Sequence, residues 1–217
     1  MEKSPRILLL LIMCLLFACK QNSDQSSGNS INVSYEKSVK VFKDYYESGE
    51  LLVSGQYEDE KKTGEWTRYF KNGELSKIEN YQDGKLEGTW KVFHPTGKLY
   101  MDGAHLNNAK IGTWKHYLDD GTLKYIKHYN AEGSTGEWKS YYDSGELASV
   151  ENYQKGKPHG LWTDFYKNGQ IYKTGEKIEG REDGAWKIYN DKGMLLLTET
   201  YENGKKIQAV RTHEADN

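Results

Sequence analysis

Residues 64–85 read GEWTRYFKNGELSKIENYQDGK, and residues 136–157 answer with GEWKSYYDSGELASVENYQKGK. The Gly-x-Trp that opens each recurs at Trp66, Trp90, Trp114, Trp138, Trp162 and Trp186, which are all six tryptophans of the chain, and every interval is 24 residues. A fixed period of this length marks a stacked array, in which no unit buries its apolar face alone and neighbours must cover one another.

Counting from each Trp as position 0, position +3 is always aromatic (Tyr69, Phe93, Tyr117, Tyr141, Phe165, Tyr189) and position +7 is always Gly. Position +9 is Leu or Ile, and +15 is mostly Tyr, with His105 and Lys177 as exceptions. Phe42, Tyr45, Gly49, Leu51 and Tyr57 fit the same slots one period earlier, so the array runs over residues 40–207 as seven units.

Each unit reads as a β-hairpin. The +7 Gly (Gly73 in Asn72-Gly73, Gly97 in Thr96-Gly97) closes a three-residue loop on a type I turn, whose last residue needs a positive φ. That loop pairs +3 with +9. Period-2 alternation then puts the +3 aromatic, the +9 Leu and the +15 Tyr on one face, with Trp on the other, opposite +12. A bulge would change that parity. A second Gly near +18 (Gly84, Gly156, Gly180, Gly204) turns the chain into the next unit. The fold expected is all-β, an elongated single-layer antiparallel sheet of about seven successive 24-residue hairpins. Fourteen strands at about 4.8 Å each would make a ribbon of roughly 65 Å.

The two quoted runs resemble the variant MORN repeat of bacterial proteins. The resemblance covers residues 40–207 and implies an elongated sheet of hairpins. It implies far less about function: such proteins often carry an antitoxin label, and MORN arrays elsewhere mediate protein or lipid contacts.

The first residues belong to a different kind of segment. Lys3 and Arg6 precede an apolar run from Ile7 to Phe17, too short for a spanning helix and suited to a signal peptide. Its end, Leu16-Phe17-Ala18-Cys19, resembles the bacterial lipoprotein signal, with residues 1–18 removed and Cys19 lipidated. Cys14 would be lost with the leader, leaving Cys19 as the one mature thiol and excluding a disulfide framework. Burial of acyl chains at roughly 0.8 kcal/mol per CH₂ would anchor the chain firmly. Residues 19–39, which include the run KQNSDQSSGNSIN, form a polar tether, and 208–217 a polar tail. Lys20 after the Cys points, in the best-known sorting scheme, to the outer membrane. The expected location is the exported face of the cell envelope.

Thirty Lys and Arg against 32 Asp and Glu, a net charge of −2, exclude a basic nucleic-acid binder. No nucleophile elbow, phosphate loop or zinc-binding His pair appears. The six histidines occupy different slots and read as surface residues; His116 is expected to face Lys124. The chain is expected to be no enzyme, with no cofactor and no metal. The strict recurrence of the six tryptophans assigns them to structure. Binding falls to what varies between repeats at +2, +4 and +10: Tyr100, His116, Tyr142, Tyr166 and Tyr172. Two functions are open on this reading. One is a lipid-anchored scaffold that docks a protein partner in the envelope. The other is a cell-wall or glycan binder, suggested by a partial likeness to choline-binding repeats, which carry a second Gly-Trp absent here.

Overall fold

The computed structural model describes residues 38–212. The leader, Cys19, most of the tether and residues 213–217 lie outside the described residues. Sixteen strands succeed one another in chain order: β1 (Val39–Tyr45), β2 (Leu51–Glu58), β3 (Lys61–Tyr69), β4 (Leu75–Gln82), β5 (Lys85–Phe93), β6 (Leu99–Leu106), β7 (Ala109–Tyr117) and β8 (Leu123–Asn130). The rest are β9 (Gly133–Ser134), β10 (Gly136–Tyr141), β11 (Leu147–Gln154), β12 (Lys157–Phe165), β13 (Ile171–Ile178), β14 (Arg181–Tyr189), β15 (Leu195–Glu202) and β16 (Lys205–Arg211). No helix occurs among the described residues. All strands form one antiparallel sheet, each paired with its sequence neighbours; the short β9 pairs with β8 off the main path.

The all-β single sheet is as expected, with two more strands than the fourteen counted from the repeats. β9 is a detached front piece of β10. β16 is the opening strand of an eighth, incomplete unit, so the array ends at Arg211, and residues 208–211 are strand where composition suggests a tail. Phe42 and Val210 take the Trp slot in the two edge strands.

The +7 turn has the expected geometry. Phe70 N–H donates to Glu74 O (2.8 Å), Gly73 N–H donates to Phe70 O (2.9 Å), and Gly73 sits at φ 85°. Six of the seven turns near +18, all but Ala131-Glu132 between β8 and β9, are two-residue loops with both residues left-handed, as at Asp83-Gly84 (φ 50° and 79°). Asn107-Asn108 (φ 50° and 71°) makes the same turn without any Gly, which Asn tolerates better than other side chains.

The face assignment is corrected. Tyr69 opposes Leu75, but Arg68 already opposes Lys77, so Ser76 at +10 is an extra residue bulged out of β4. The bulge moves every later residue by one. Trp66 faces Glu79 at +13, not Ile78 at +12, and Tyr81 at +15 joins the Trp face. The same shift recurs in each hairpin, which places Tyr125, not Lys124, opposite His116. One face therefore carries Trp and the +15 aromatic; the other carries the +3 aromatic, the +9 aliphatic and +12.

Candidate binding face

The Gly-x-Trp motif lies on a second irregularity. Ser54 pairs with Thr67 and Gln56 with Thr63, so β3 spends two more residues than β2 across Gly55. Gly64 provides the left-handed φ of 65° that this excursion needs. The loop of backbone swings the Trp66 indole back over Gly55, where a Cβ would lie 2.2 Å from the ring. The indole N–H then donates to Gln56 O at 3.1 Å. Trp138 and Trp186 donate likewise to the carbonyls of His128 (3.0 Å) and Glu176 (3.2 Å).

What lies beneath the indole is of two kinds. Trp66, Trp114 and Trp186 sit on Gly55, Gly103 and Gly175 and are 2%, 4% and 1% exposed. Trp90, Trp138 and Trp162 have Glu79, Lys127 and Glu151 at the same +13 slot and are only half-buried. Lysines cover both sets: Lys62 stands 4.2 Å from the Trp66 ring centroid, Lys77 5.1 Å from Trp90 and Lys177 3.6 Å from Trp162. Ammonium over an indole face is favourable, more so where water is thinned out.

The +4 side chains fasten one repeat to the next. Tyr46, Tyr142 and Tyr166 donate their hydroxyls to the carbonyls of Tyr69 (2.8 Å), Phe165 (2.6 Å) and Tyr189 (2.9 Å), each 23 residues ahead. His94 reaches Tyr117 O in the same way (3.2 Å) through Nε2, while its Nδ1 contacts Asp119.

At the middle of the array the Trp face opens into a hollow of about 260 Å³, whose lining includes Lys110, Trp114, His116, Tyr125, Lys127 and Tyr129. Lys110 stands over Trp114 and Tyr129 at 4.3 and 5.5 Å, and Lys127 over Trp138 and Tyr125 at 4.7 and 5.3 Å. Neither lysine has a carboxylate partner among the described residues. Elsewhere on this face three of the cations do: Lys77 with Glu79 (2.5 Å), Lys173 with Glu182 (3.2 Å), Lys206 with Glu199 (2.8 Å). Burial, then the charge of Lys127, pulls the Lys110 ammonium below the usual lysine range. His116 is held below its ordinary pKa by burial first and then by His94, Lys127 and Lys124. Its Nδ1 is buried without a hydrogen-bond partner. Among the described residues no group of three or more His, Cys, Asp or Glu is placed to hold a metal.

The MORN repeat variant matches seven times, at residues 39–59, 62–83, 86–107, 110–131, 134–155, 158–176 and 182–205. The chain belongs to the MORN repeat variant family. No curated protein matches it. Among solved structures, the crystal structure of a GtfA/B complex bound to UDP and GlcNAc is similar at 10% identity and a TM-score of 0.23, over 67% of this chain. The chain spans 25% of the length of that one, and so slight a likeness bears on neither fold nor function.

In this MORN array the residues singled out from sequence do not form one site. Tyr100 and His116 meet, ring centroids 4.4 Å apart, with Tyr100 also edge-on to His94 at 4.9 Å and His116 5.5 Å from Tyr125. Tyr166 and Tyr172 form a second pair at 5.1 Å. Five strand spacings separate β7 from β13, about 24 Å. Tyr142 stands apart, its hydroxyl engaged with Phe165 O and its ring under Lys167 (5.5 Å). Folding thus uses the hydroxyls of Tyr142 and Tyr166, which the repeat pattern alone marks as surplus to it. The histidines are not uniformly at the surface either: His105 is 8% exposed, wedged between Trp90 and Trp114. Lys110 and Lys127 are not among the residues that the variable slots single out. Their signal is at +13, where Lys127 stands among Gly and Glu.

Proposed function

We propose that the chain is a lipid-anchored, non-catalytic interaction scaffold of the cell envelope, held at Cys19 in the outer membrane. Its Trp face docks a protein partner at the hollow around Lys110 and Lys127. The observation that carries this reading is the pair of lysines with aromatic walls and no carboxylate of their own among the described residues, Lys127 half-buried and Lys110 exposed but standing over Trp114 and Tyr129. Neither ammonium has an internal counter-charge, so an acidic side chain from outside supplies one while the rings cover the apolar part of the same segment. Aromatic residues are also what interface centres concentrate.

The test is affinity capture from envelope extract on the immobilised full chain, beside insoluble cell wall. One stoichiometric protein should be retained and should be released by raised salt. Lys110→Glu with Lys127→Glu should abolish its capture while leaving the melting temperature in place. Unaltered capture by the folded double variant would move the docking site elsewhere. Retention on cell wall with no protein captured would favour a glycan binder. In the same cells Cys19→Ala should shift the chain to the soluble fraction, and persistent membrane association would remove the anchor from the proposal.

A further inference from the structure

The main path of the sheet has fifteen strands and two open edges, β1 and β16. Because neighbours alternate in direction and fifteen is odd, both edge strands run the same way. A second copy added head to tail would therefore join β16 to β1 in parallel, out of step with the whole ladder. Antiparallel continuation with the Trp face kept on one side requires an edge to meet the identical edge of another copy about a two-fold axis.

The two edges differ in fitness for this. Asp59 N–H donates to Ser38 O and Tyr46 N–H to Glu50 O, so even-numbered residues of β1 turn their backbone groups toward β2. Val39, Val41, Lys43 and Tyr45 turn theirs outward, the Tyr45 N–H onto the Asp44 Oδ1 beside it (2.9 Å). The irregularity in this hairpin falls on β2, where Leu52 is the extra residue, so β1 is a regular template. Its side chains are exposed, Val39 at 54%, Val41 at 68% and Tyr45 at 52%. β16 carries its own bulge: Thr200 pairs with Gln208 and Tyr201 with Lys206, leaving Ile207 unmatched. Pairing β16 with itself about Gln208 would also set Lys205 opposite Arg211. A bulge and like charges are how natural sheets blunt an edge.

β1 complements itself. With the axis at Phe42, Lys40 lies opposite Asp44, Val39 opposite Tyr45, Val41 opposite Lys43, and Phe42 opposite Phe42. All seven residues are used and both charge pairs are opposite in sign. Moving the axis to Lys43 sets lysine on lysine; moving it to Val41 sets Lys40 on Phe42 and shortens the overlap. Phe42 already stacks on Trp66 (centroids 5.5 Å, 29° between planes) and meets Tyr57 edge-on at 5.8 Å. Its contact with the second Phe42 extends the aromatic row of the Trp face across the axis.

We propose that the protein forms a two-fold dimer through antiparallel β1–β1 pairing centred on Phe42, a continuous sheet of twice the length. Sedimentation equilibrium of the full chain in density-matched detergent should give a dimer at micromolar concentration. Lys40→Asp alone, and Asp44→Lys alone, should each weaken association about tenfold or more, because two favourable cross-strand pairs become two repulsive ones. An equimolar mixture of the two variants should dimerise again, since each new charge then faces its opposite in the other chain. Both changes are at exposed positions, and matching melting curves verify that each variant folds. A monomeric wild type, a dimer indifferent to both variants, or a mixture that stays monomeric would each overturn the proposal.

Discussion

Trp114 and Trp138 stand in adjacent repeats, carry the same Gly-x-Trp and come after bulges of the same kind, yet one is 4% exposed and the other half-buried. The residue beneath makes the difference. Gly103 lets the Trp114 indole settle onto backbone, whereas Lys127 props Trp138 up and leaves it stacked on Tyr153 at 4.0 Å. Full burial removes about 150–250 Å² of a tryptophan from water, an upper bound of roughly 4–6 kcal/mol. A single-layer sheet has few other places to gain as much. The glycine-seated repeats, at both ends and in the middle, hold the ribbon. The charge-seated repeats between them keep aromatic surface and cations in reach of solvent.

The sharpest way to break this comparison is to give a glycine seat a side chain. Gly175→Ala would place a methyl group 2.2 Å from the Trp186 ring, closer than any real contact, so the indole must leave. We expect a loss of about 3 kcal/mol or more in urea unfolding, at the upper end for overpacking, with a red shift of tryptophan emission. Glu151→Ala, under the propped Trp162, should cost no more than about 1 kcal/mol. Equal costs at the two seats would end the distinction.

Much of this is legible without coordinates. The 24-residue period, the Gly at +7 and the pairing of Tyr69 with Leu75 come from spacing and turn chemistry, and those features set the sheet. The faces are not legible, because Ser76 carries no mark of a bulge: its slot holds Tyr, Lys, Ala or Leu in other units. One uncounted residue is enough to exchange Tyr81 and Ile78 between faces. The glycine seats stand in the sequence at Gly55, Gly103 and Gly175, but a glycine without a turn to explain it is read only when the ring above it is known. The clasp formed by Tyr142 is hidden for another reason. Its acceptor is a main-chain carbonyl 23 residues on, which no side-chain pattern reports.

That clasp sharpens the comparison on a smaller scale. Repeats with Tyr at +4 gain a hydrogen bond to the next unit; Phe70 and Leu118, in the same slot, have no hydroxyl to give. Tyr142→Phe and Tyr166→Phe should each cost about 1 kcal/mol, the net worth of one such bond, and the two losses should add because the sites are separate. Phe70→Tyr should recover part of that amount in its own repeat. Chemical denaturation of the wild type, the three single variants and the Tyr142→Phe/Tyr166→Phe double variant checks all three statements, and a Tyr166→Phe chain as stable as the wild type would leave the hydroxyl without a structural part.

The smallest effect concerns the one central repeat in which +15 is His in place of Tyr. His105 lies between Trp90 and Trp114 (centroids 6.0 and 5.0 Å), and its Nδ1 is buried without a partner. Burial first, then the charges of Lys110 and Lys77, holds its pKa below 6.5, with Glu79 opposing them. A base whose folded pKa is depressed binds fewer protons in the native state than when unfolded. Its contribution is therefore complete above about pH 6.5 and drains away as the pH falls from there to the folded value, levelling off below it. His116, depressed for similar reasons, adds to the same window, whereas Glu199, held low by Lys206 and Tyr201, loses its contribution only below the ordinary carboxylate range. Stability measured by urea unfolding should thus decline as the pH falls below about 6.5, by less than the loss of a tyrosine clasp. His105→Tyr, which restores the residue most repeats use, should flatten the decline, leaving only the part owed to His116. An unchanged slope in that variant would mean that the imidazole is hydrated in solution and that the repeat closes no more tightly around His105 than around an exposed side chain.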